Sequence, residues 1–466
     1  MPPDANGKER QTEKMHCAKK AIRYLCAIAA CAILLPLLGC AGKQDPPVTG
    51  TDDISAGAVP ESTIDTTHEE ETTDMILPAS DTVNYRDKKC MWLSQFDLNK
   101  VYTNGGKQRD RAQFEKYIKK ILANVKDNGI NTVIVQVRPY ADSMYPSDVY
   151  PMSSYVVGAY GNEADYNPFE IIINEGHAAG LSVHAWINPM RAMLVKEITK
   201  VPERFLIRQW YNDTAKRGKY LVTVSDRVYL NPAYPEVRQL ITDGAAEILE
   251  RYAVDGLHMD DYFYPTTDAS FDTAAYAAYK KDGGKLSLAD YRRECLSLLV
   301  SELYRKTKEA GSDSLFGISP AGNINTVYEK QYADVYRWCS EGGYLDYICP
   351  QVYFGLEHQT YDFKKVSNTF AGIIKNSSVE LIIGMTLGKA KSGTDQYAGT
   401  GKYEWRDNKD VLVRCLEYTK SVKHCSGVAY FCYQYFYDPI SGVSVTETKA
   451  ERDRFIPLLK TITWNE

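Results

Sequence analysis

The 466-residue sequence predicts an α/β protein whose main domain is a (β/α)8 TIM barrel with long βα loops on its C-terminal face. From residue 90 onward, short apolar segments alternate with segments whose apolar residues recur every three or four positions. Alternating strands and helices indicate a parallel sheet, and eight repeats favour a closed barrel. A doubly wound open sheet is the alternative, but no glycine-rich phosphate loop follows any predicted strand.

The predicted strands are 91–98, 132–138, 182–189, 256–263, 314–321, 345–354, 381–388 and 427–436. The predicted helices are 112–127, 168–179, 235–252, 288–310, 328–340, 361–376 and 407–424. Pro168 and Pro235 fit the first turn of their helices, where a missing N–H costs nothing. Long loops follow the second, third and fourth strands, on the face where barrel enzymes form their active sites. These loops are 139–167, 190–234 and 264–287.

The N-terminal part of the chain is predicted to be a targeting segment. Residues 1–39 have the form of a signal peptide, with basic residues before the apolar stretch 25–38, which is short for a membrane span and contains a proline. This stretch ends in Leu-Leu-Gly-Cys, which resembles a bacterial lipobox. Lipidation of Cys40 would anchor the protein to the membrane outside the cytoplasm, and an uncleaved signal anchor is the alternative. Residues 40–87 are polar and predict a flexible tether to a catalytic domain at 88–466.

Composition narrows the classes of partner. The net charge of -5 provides no basic surface for nucleic acid. Tyrosine is abundant, with 35 Tyr against 13 Phe, and an apolar ring with a polar end suits sugar binding. Seven cysteines follow Cys40, with no C-x-x-C pair and no Cys/His metal spacing, so we expect at most one or two disulfides and no structural zinc.

The stretch DGLHMDDYFYP at 255–265 ends the fourth predicted strand with two adjacent carboxylates. Side chains alternate between the two faces of a strand. Leu257 and Met259 therefore face the helices, and His258 and Asp260 face the barrel interior. Asp261 would face away from Asp260 and orient a loop, although a capping or turn role for the pair is the alternative.

The same alternation places further polar side chains at the interior ends of other strands. They are Gln136 and Arg138 on the second strand, His184, Trp186 and Asn188 on the third, Gln351 and Tyr353 on the sixth, and Gln434 on the eighth. These residues and His258 are expected to bind substrate, although each could also be a satisfied core residue. Four aromatic residues are expected to stack on sugar rings: Trp186, Tyr264, Tyr353 and Phe354.

A glycosidase needs two carboxyl groups, one as acid and one as nucleophile or base. Asp260 fits the nucleophile or base, kept ionised by Arg138 or an imidazole. Glu357 is the first choice for the acid, and Asp97, Asp142 and Asp438 are further candidates. There is no G-x-S-x-G or H-E-x-x-H motif, and the first strand lacks the His-x-His pair of metal-dependent barrels. No metal or cofactor is predicted.

Seven motifs, in order along the chain, resemble the bacterial glycoside-hydrolase-like family 10. They are QVRPYADSMYPS (136–147), HAWINPMR (184–191), LNPAYPEVR (230–238), VDGLHMDDYFYP (254–265), YRRECLSLLV (291–300), FGISPAGN (316–323) and LDYICPQVYF (345–354). The resemblance implies a secreted or lipid-anchored barrel that hydrolyses bacterial polysaccharide, with peptidoglycan glycan strands a plausible substrate. It also implies that Asp260 and Asp261 are the acidic pair, and that Arg138, His184 and Asn188 line the site.

The chain departs from the family pattern at two positions. Phe354 stands where relatives usually have Trp, which alters a sugar-stacking position, and Cys295 stands near an Asn-like position on a helix. The leading prediction is an extracytoplasmic, lipid-anchored glycoside hydrolase that acts on a cell-wall or related glycan. Two alternatives are a lipoprotein barrel that binds glycan without cutting it and a metal-dependent deacetylase or amidohydrolase.

Overall fold

Eight parallel strands close into a barrel in the computed structural model, which describes residues 82–464. The strands are β1 (Lys88–Leu93), β2 (Thr132–Arg138), β3 (Ser182–Ile187), β4 (Gly256–Met259), β5 (Leu315–Ile318), β6 (Tyr347–Ile348), β7 (Glu380–Thr386) and β8 (Cys425–Phe431). Each strand pairs with the next one in the chain, and β8 pairs with β1. The (β/α)8 prediction is confirmed. The predicted signal segment and Cys40 lie outside the described residues.

Helices follow the strands around the outside of the barrel. They are α1 (Arg111–Asp127), α2 (Pro168–Ala178), α3 (Pro235–Arg251), α4 (Leu288–Ala310), α5 (Ile324–Glu329), α6 (Val335–Trp338), α7 (Phe363–Ile373), α8 (Val411–Thr419) and α9 (Thr446–Thr461). Local capping sets several starts: the side chains of Asp110, Asn167 and Ser287 each accept a backbone N–H of the first turn of α1, α2 and α4. None of the helices within residues 82–464 combines the length and apolar content needed to cross a bilayer.

Shorter helices lie in the loops, at Gln95–Tyr102, Ser154–Val157, Val195–Ile198, Leu206–Asn212, Thr273–Lys281, Gly388–Ser392 and Glu404–Asp407. Most strands are shorter than predicted, and for two of them the local reason is clear. The predicted strand 91–98 stops at Leu93 because Ser94 and Asp97 form a capping box that starts the helix Gln95–Tyr102. The predicted strand 345–354 has only two ladder residues and is followed closely by Pro350, which has no N–H to donate.

The alternation along β2, β3 and β4 separates an outer apolar layer from an interior cluster. Val133, Val183 and Leu257 belong to the large core between the strands and the helices. Trp92 and Trp186 belong to the smaller interior cluster, which also contains Cys90, Ile134, Tyr347, Cys349, Ile382, Ala429 and Cys432. The barrel interior is therefore filled by side chains and forms the floor of any site at its mouth.

Two additions to the barrel bear on the site. A three-stranded antiparallel sheet of Arg191–Leu194, Leu221–Val224 and Arg227–Leu230, here called the rim sheet, lies in the loop after β3. At the opposite, N-terminal end, the Asn84 side chain donates to the Asp255 and Asp313 carbonyls, at 2.9 and 3.0 Å. This described end of the predicted tether thus lies against the bottom of the barrel. All seven cysteines in the described part of the chain are buried free thiols.

Candidate active site

Two adjacent carboxylates stand at the C-terminal mouth of the barrel, immediately after β4. Asp260 is 3% exposed and accepts hydrogen bonds from the Asn188 side chain and, at 3.2 Å, from the Tyr262 N–H. Burial, and then the neighbouring Asp261, raise the pKa of Asp260 to about 8 despite these two donors. Asp260 therefore holds a proton at neutral pH, which corrects the prediction that it is kept ionised.

Asp261 belongs to the mouth too, which corrects the prediction that it only orients a loop. The strand ends at Met259, so strict alternation no longer applies to the two residues that follow. Burial raises the pKa of Asp261, and a hydrogen bond from the Gln351 side chain and the charge of Arg191 oppose that rise. Asp260 thus contacts a side chain just beyond β3, and Asp261 contacts one just beyond β6.

A chain of side-chain amides fixes how Asn188 meets Asp260. The Gln95 backbone N–H donates to Gln136 Oε1 at 2.9 Å, so the other end of that amide, Nε2, faces Asn188. Gln136 Nε2 donates to Asn188 Oδ1 at 2.8 Å, which leaves Asn188 Nδ2 to donate to Asp260. Because a backbone N–H can only donate, every amide in the chain has one allowed orientation. Gln136 and Asn188 therefore lie at the site, as predicted.

Arg191 is the cation beside the acidic pair. Its charge lowers the pKa of both Asp260 and Asp261, although burial outweighs this effect in each. Its guanidinium carbon lies 4.0 Å from the ring centroid of Tyr262 and 4.9 Å from that of Tyr140. The sequence analysis gave this role to Arg138 and missed Arg191, although Arg191 ends the HAWINPMR motif.

Arg138 lies outside the barrel interior. The register shifts between Gln136 and Arg138, so that Arg138 pairs with Ile187, whose side chain faces the helices. A bulge of this kind reverses the face of the residues that follow it. The Arg138 guanidinium carbon lies 4.7 Å over the Tyr150 ring, against α3. Its predicted contact with Asp260 is therefore wrong.

Aromatic side chains form the other wall of the mouth. Tyr353 stacks on Phe431, with ring centroids 5.7 Å apart, and both acidic groups act on the Tyr353 phenol by charge. Phe354 is half-buried and stacks on Tyr361 at 5.7 Å. Trp186 is 5% exposed among the interior side chains, and its indole N–H has no partner within residues 82–464. Tyr353 and Phe354 thus line the mouth, whereas the buried Trp186 presents no ring face for the predicted sugar stacking.

His184 and His258 lie in the barrel interior, below the mouth, and share the Tyr347 hydroxyl as a hydrogen-bond partner. The Tyr347 hydroxyl lies 3.0 Å from His184 Nδ1 and 2.9 Å from His258 Nδ1. The other nitrogens are also occupied: His184 Nε2 lies 3.1 Å from Asn84 Oδ1, and His258 Nε2 lies 2.9 Å from the Ser319 hydroxyl. With all four ring nitrogens engaged, neither histidine has a nitrogen left to bind substrate, which corrects that prediction.

The partners determine both tautomers. Asn84 Nδ2 donates to two carbonyls, so its oxygen faces His184 and accepts Nε2–H. His184 Nδ1 must then accept from Tyr347, whose oxygen accepts from His258 Nδ1–H, and His258 Nε2 accepts from Ser319. Burial lowers the pKa of His184 to about 4 and that of His258 well below its usual value, so both rings are neutral.

Tyr264 is buried in the loop after β4 and is not available for sugar stacking. It meets Phe271 and Tyr332 edge to face, with centroids 5.4 and 5.6 Å apart, and only 2% of it is exposed. The Arg292 guanidinium carbon lies 5.4 Å over the Tyr264 ring. The predicted stacking role is wrong because this tyrosine supports the loop from inside.

Glu357 is exposed on the loop after β6, and no hydrogen bond links it to the acidic pair. Its backbone N–H donates to Glu404 at 3.0 Å. Gln434 is partly exposed beyond β8, where its N–H donates to Asp97 at 2.6 Å. Gln434 therefore ties the loop after β8 to the helix after β1.

The three further candidate carboxylates have structural partners. Asp97 completes the capping box with Ser94, and burial raises its pKa to about 6. Asp142 is fully buried and accepts from the Tyr140 N–H at 2.9 Å and the Tyr160 hydroxyl at 3.1 Å. Asp438 accepts hydrogen bonds within its own turn. No group of three His, Cys, Asp or Glu side chains among the described residues could hold a metal ion.

Comparisons with known proteins concern the family and the fold of the chain. A family model described as glycosyl hydrolase-like 10 matches residues 88–398. The chain is 31% identical over 365 residues to the glycosyl hydrolase YngK of Bacillus subtilis (strain 168), covering 73% of this chain and 68% of that protein. It is 29% identical over 395 residues to the glycosyl hydrolase DigH of Escherichia coli (strain K12), covering 79% of this chain and 88% of that protein.

Solved structures share the fold at low sequence identity. The PgaB (BpsB) glycoside hydrolase domain from Bordetella bronchiseptica has a TM-score of 0.51 at 14% identity, covering 78% of this chain and 98% of that chain. The catalytic domain of the β-amylase from Paenibacillus polymyxa has a TM-score of 0.51 at 12% identity, covering 80% and 99%. At these identities the likeness concerns the barrel alone.

Proposed function

The chain belongs to the glycosyl hydrolase-like 10 family, and from that premise we propose that it hydrolyses O-glycosidic bonds in a glycan of the bacterial cell wall. The observation that supports this most is the pair Asp260 and Asp261 at the barrel mouth, whose pKa values are both raised. A carboxyl group that holds a proton at neutral pH, as Asp260 does, is what acid catalysis of glycoside cleavage needs.

We assign the general acid to Asp260. With a pKa raised to about 8, Asp260 carries a proton at neutral pH and can donate it to the glycosidic oxygen as the bond to the anomeric carbon breaks. Asp261, whose ionised form Gln351 and Arg191 favour, is the partner that offsets the positive charge developing on the sugar ring. Water then adds to the anomeric carbon, and its proton goes to the Asp260 carboxylate, which restores the acid. The two groups titrate as a coupled pair. Glu357 has no part in this scheme.

The location is proposed from the sequence. The Leu-Leu-Gly-Cys sequence ending at Cys40 supports a lipid anchor, and the apolar stretch before it supports export. An enzyme held on the outer side of the membrane would meet cell-wall glycan, so peptidoglycan glycan strands are the proposed substrate.

The first experiment incubates a soluble form of the chain, lacking residues 1–81, with peptidoglycan glycan strands and analyses the products by mass spectrometry. Defined saccharides are expected from the wild type and none from Asp260→Asn. Asp438→Asn is the matched control, since it makes the same change at a carboxylate outside the mouth. Equal product from Asp260→Asn and the wild type would refute the assignment.

A second experiment separates the acid from its partner. A 4-nitrophenyl glycoside of the sugar released in the first experiment has a leaving group that needs no protonation. Asp260→Asn should therefore keep most of its kcat on this substrate and lose it on glycan strands, whereas Asp261→Asn should lose both. The reverse pattern would exchange the two roles.

A barrel that binds glycan without cleaving it is the second candidate. It is favoured by the position of Glu357, which leaves no further carboxylate of the predicted set beside the pair. Binding of glycan strands with no product from the wild type, across several polysaccharides, would support this candidate over hydrolysis.

A further inference from the structure

Two arginines share one tyrosine ring at the rim of the mouth. The guanidinium carbons of Arg191 and Arg227 lie 4.9 and 4.6 Å from the ring centroid of Tyr140. Both arginines belong to the rim sheet, and Tyr229 of the same sheet pairs with Arg191. Tyr155 stacks on Tyr140 at 6.0 Å and extends this wall.

The two positive charges are held together without a fixed anion between them. Burial, and then the charge of Arg191, lower the pKa of Arg227. Within the described part of the chain neither guanidinium forms an ion pair, and Arg191 Nε has no hydrogen-bond partner. Arg227 donates to the Ala192 carbonyl at 2.8 Å, which leaves further donors of its fork unused. Half-buried like charges are costly unless an anion joins them.

Only Arg191, of these two arginines, acts by charge on the acidic pair. The charge of Arg191 acts on Asp260 and Asp261, whereas Arg227 is not among the charges that shift the pKa of either. The groups that raise the pKa of Arg227 are the phenols of Tyr140 and Tyr229 and the carboxylate of its exposed chain neighbour Asp226. Arg227 therefore adds positive charge beyond what the acidic pair requires.

We propose that Arg191 and Arg227 form a subsite for a carboxylate carried by a sugar next to the cleaved bond. The two guanidiniums offer planar forks of donors that match the two oxygens of a carboxylate. Tyr140, buried under both guanidiniums and under Tyr155, holds the two forks in place. The half-buried ring of Tyr155 lies beside them to stack on the sugar. The substrate would thus be an acidic glycan. This inference rests on the proposed function for the cleaved bond, but binding of the acid group does not require cleavage.

The test uses the full chain in detergent and two matched substrates. One is peptidoglycan glycan strands freed of stem peptides, in which each muramic acid carries a free carboxylate. The other is the same strands after chemical reduction of those carboxylates to alcohols. Wild-type kcat/KM should be higher on the acidic strands by about tenfold, the size of one charge-assisted contact.

Arg227→Gln should raise KM on the acidic strands by about tenfold, because their carboxylate loses a charged partner. On the reduced strands, KM should stay within about twofold of the wild-type value. Arg227→Lys should retain part of the preference. Arg217→Gln is the matched control, because Arg217 lies in the same long loop, exposed over the Tyr211 ring at 5.5 Å. This variant should leave KM unchanged on both substrates. Equal losses on both substrates with Arg227→Gln would overturn the subsite. A wild type that prefers neither the acidic strands over the reduced strands nor uronic-acid oligosaccharides over their reduced forms would overturn it too.

Binding separates this inference from the proposed hydrolysis. Calorimetric titration of the Asp260→Asn chain should show tighter binding of acidic than of reduced strands, and adding Arg227→Gln should remove the difference. If no preparation cleaves glycan but this difference is seen, the subsite stands and the hydrolase proposal fails. Uronic-acid oligosaccharides and their reduced forms make a second arm. A preference there alone would identify a uronate as the acidic sugar.

Discussion

Removing the amide that donates to Asp260 should move the alkaline limb of the pH–rate profile upward. In the wild type, kcat/KM should fall as pH rises through about 8, because Asp260 then loses the proton it donates. Asn188 Nδ2 donates to this carboxylate and so favours its ionised form. Asn188→Leu keeps the approximate shape of the side chain but removes the donor, which disfavours ionisation and raises the pKa.

The magnitude follows from the kind of hydrogen bond. A bond to a charged group contributes about 1.5–3 kcal/mol, and about 1.4 kcal/mol corresponds to one pKa unit. The alkaline limb should therefore move up by about one to two pH units. Gln136→Glu should move it in the same direction, because the new carboxylate would accept from Asn188 and turn the amide oxygen toward Asp260.

The assay is the initial rate of reducing-end release from glycan strands, measured between pH 5 and pH 10.5. Asn231→Leu is the matched control: Asn231 is also a fully buried asparagine, but its side chain bonds only to the backbone of Phe271 and Ala233. It should lower stability and leave the limb in place. An unmoved or lowered limb in Asn188→Leu, or an equal shift in Asn231→Leu, would refute the reasoning.

Three further predictions concern stability and location. Tyr347→Phe should lower the free energy of unfolding in urea by about 2–5 kcal/mol, because it orphans two buried imidazole nitrogens; Tyr430→Phe, whose buried hydroxyl has no partner in residues 82–464, should cost far less, and equal costs would contradict the shared hydroxyl. Burial raises the pKa of Glu451 to about 7, so the folded protein is stabilised by the protonated Glu451 at pH 4 and loses this stabilisation as the pH rises through 7. Glu451→Gln, which can still accept the Leu412 N–H, should therefore raise Tm at pH 8.5 and change it little at pH 4.5, and no gain at pH 8.5 would argue against a buried charge there. Cys40→Ala should release the protein from the membrane fraction, and unchanged membrane association would favour a signal anchor over a lipid.

The eight-strand barrel and the acidic pair were predictable because both leave local patterns in the sequence. Apolar periodicity located most helices to within a few residues, and the end of β4 was marked by adjacent carboxylates after an apolar run. The helix α9 was missed, since Pro457 and many charged residues obscure its pattern. Strict alternation also failed at Arg138, where a register shift that no residue type announces turns the side chain outward.

The remaining site residues depend on contacts between distant segments. Arg191 reaches the acidic pair because the rim sheet folds back over the mouth, which no local pattern predicts. His184 and His258 looked like ligands for substrate because each is a polar group at an interior position. Only the structure shows that Tyr347 and Asn84 already use their nitrogens.

A chain of hydrogen bonds also crosses the barrel interior. It runs from Ser319 and Trp92 through the two histidines to Asn84, and it bears on how protons move in the protein. Each hydrogen bond in it points the same way, from the indole and hydroxyl at one end to the amide oxygen at the other. An amide oxygen does not pass a proton onward at neutral pH, so this chain of hydrogen bonds does not carry protons through the barrel. The acid at the mouth must therefore be reprotonated from the solvent side, by water that enters where the glycan leaves.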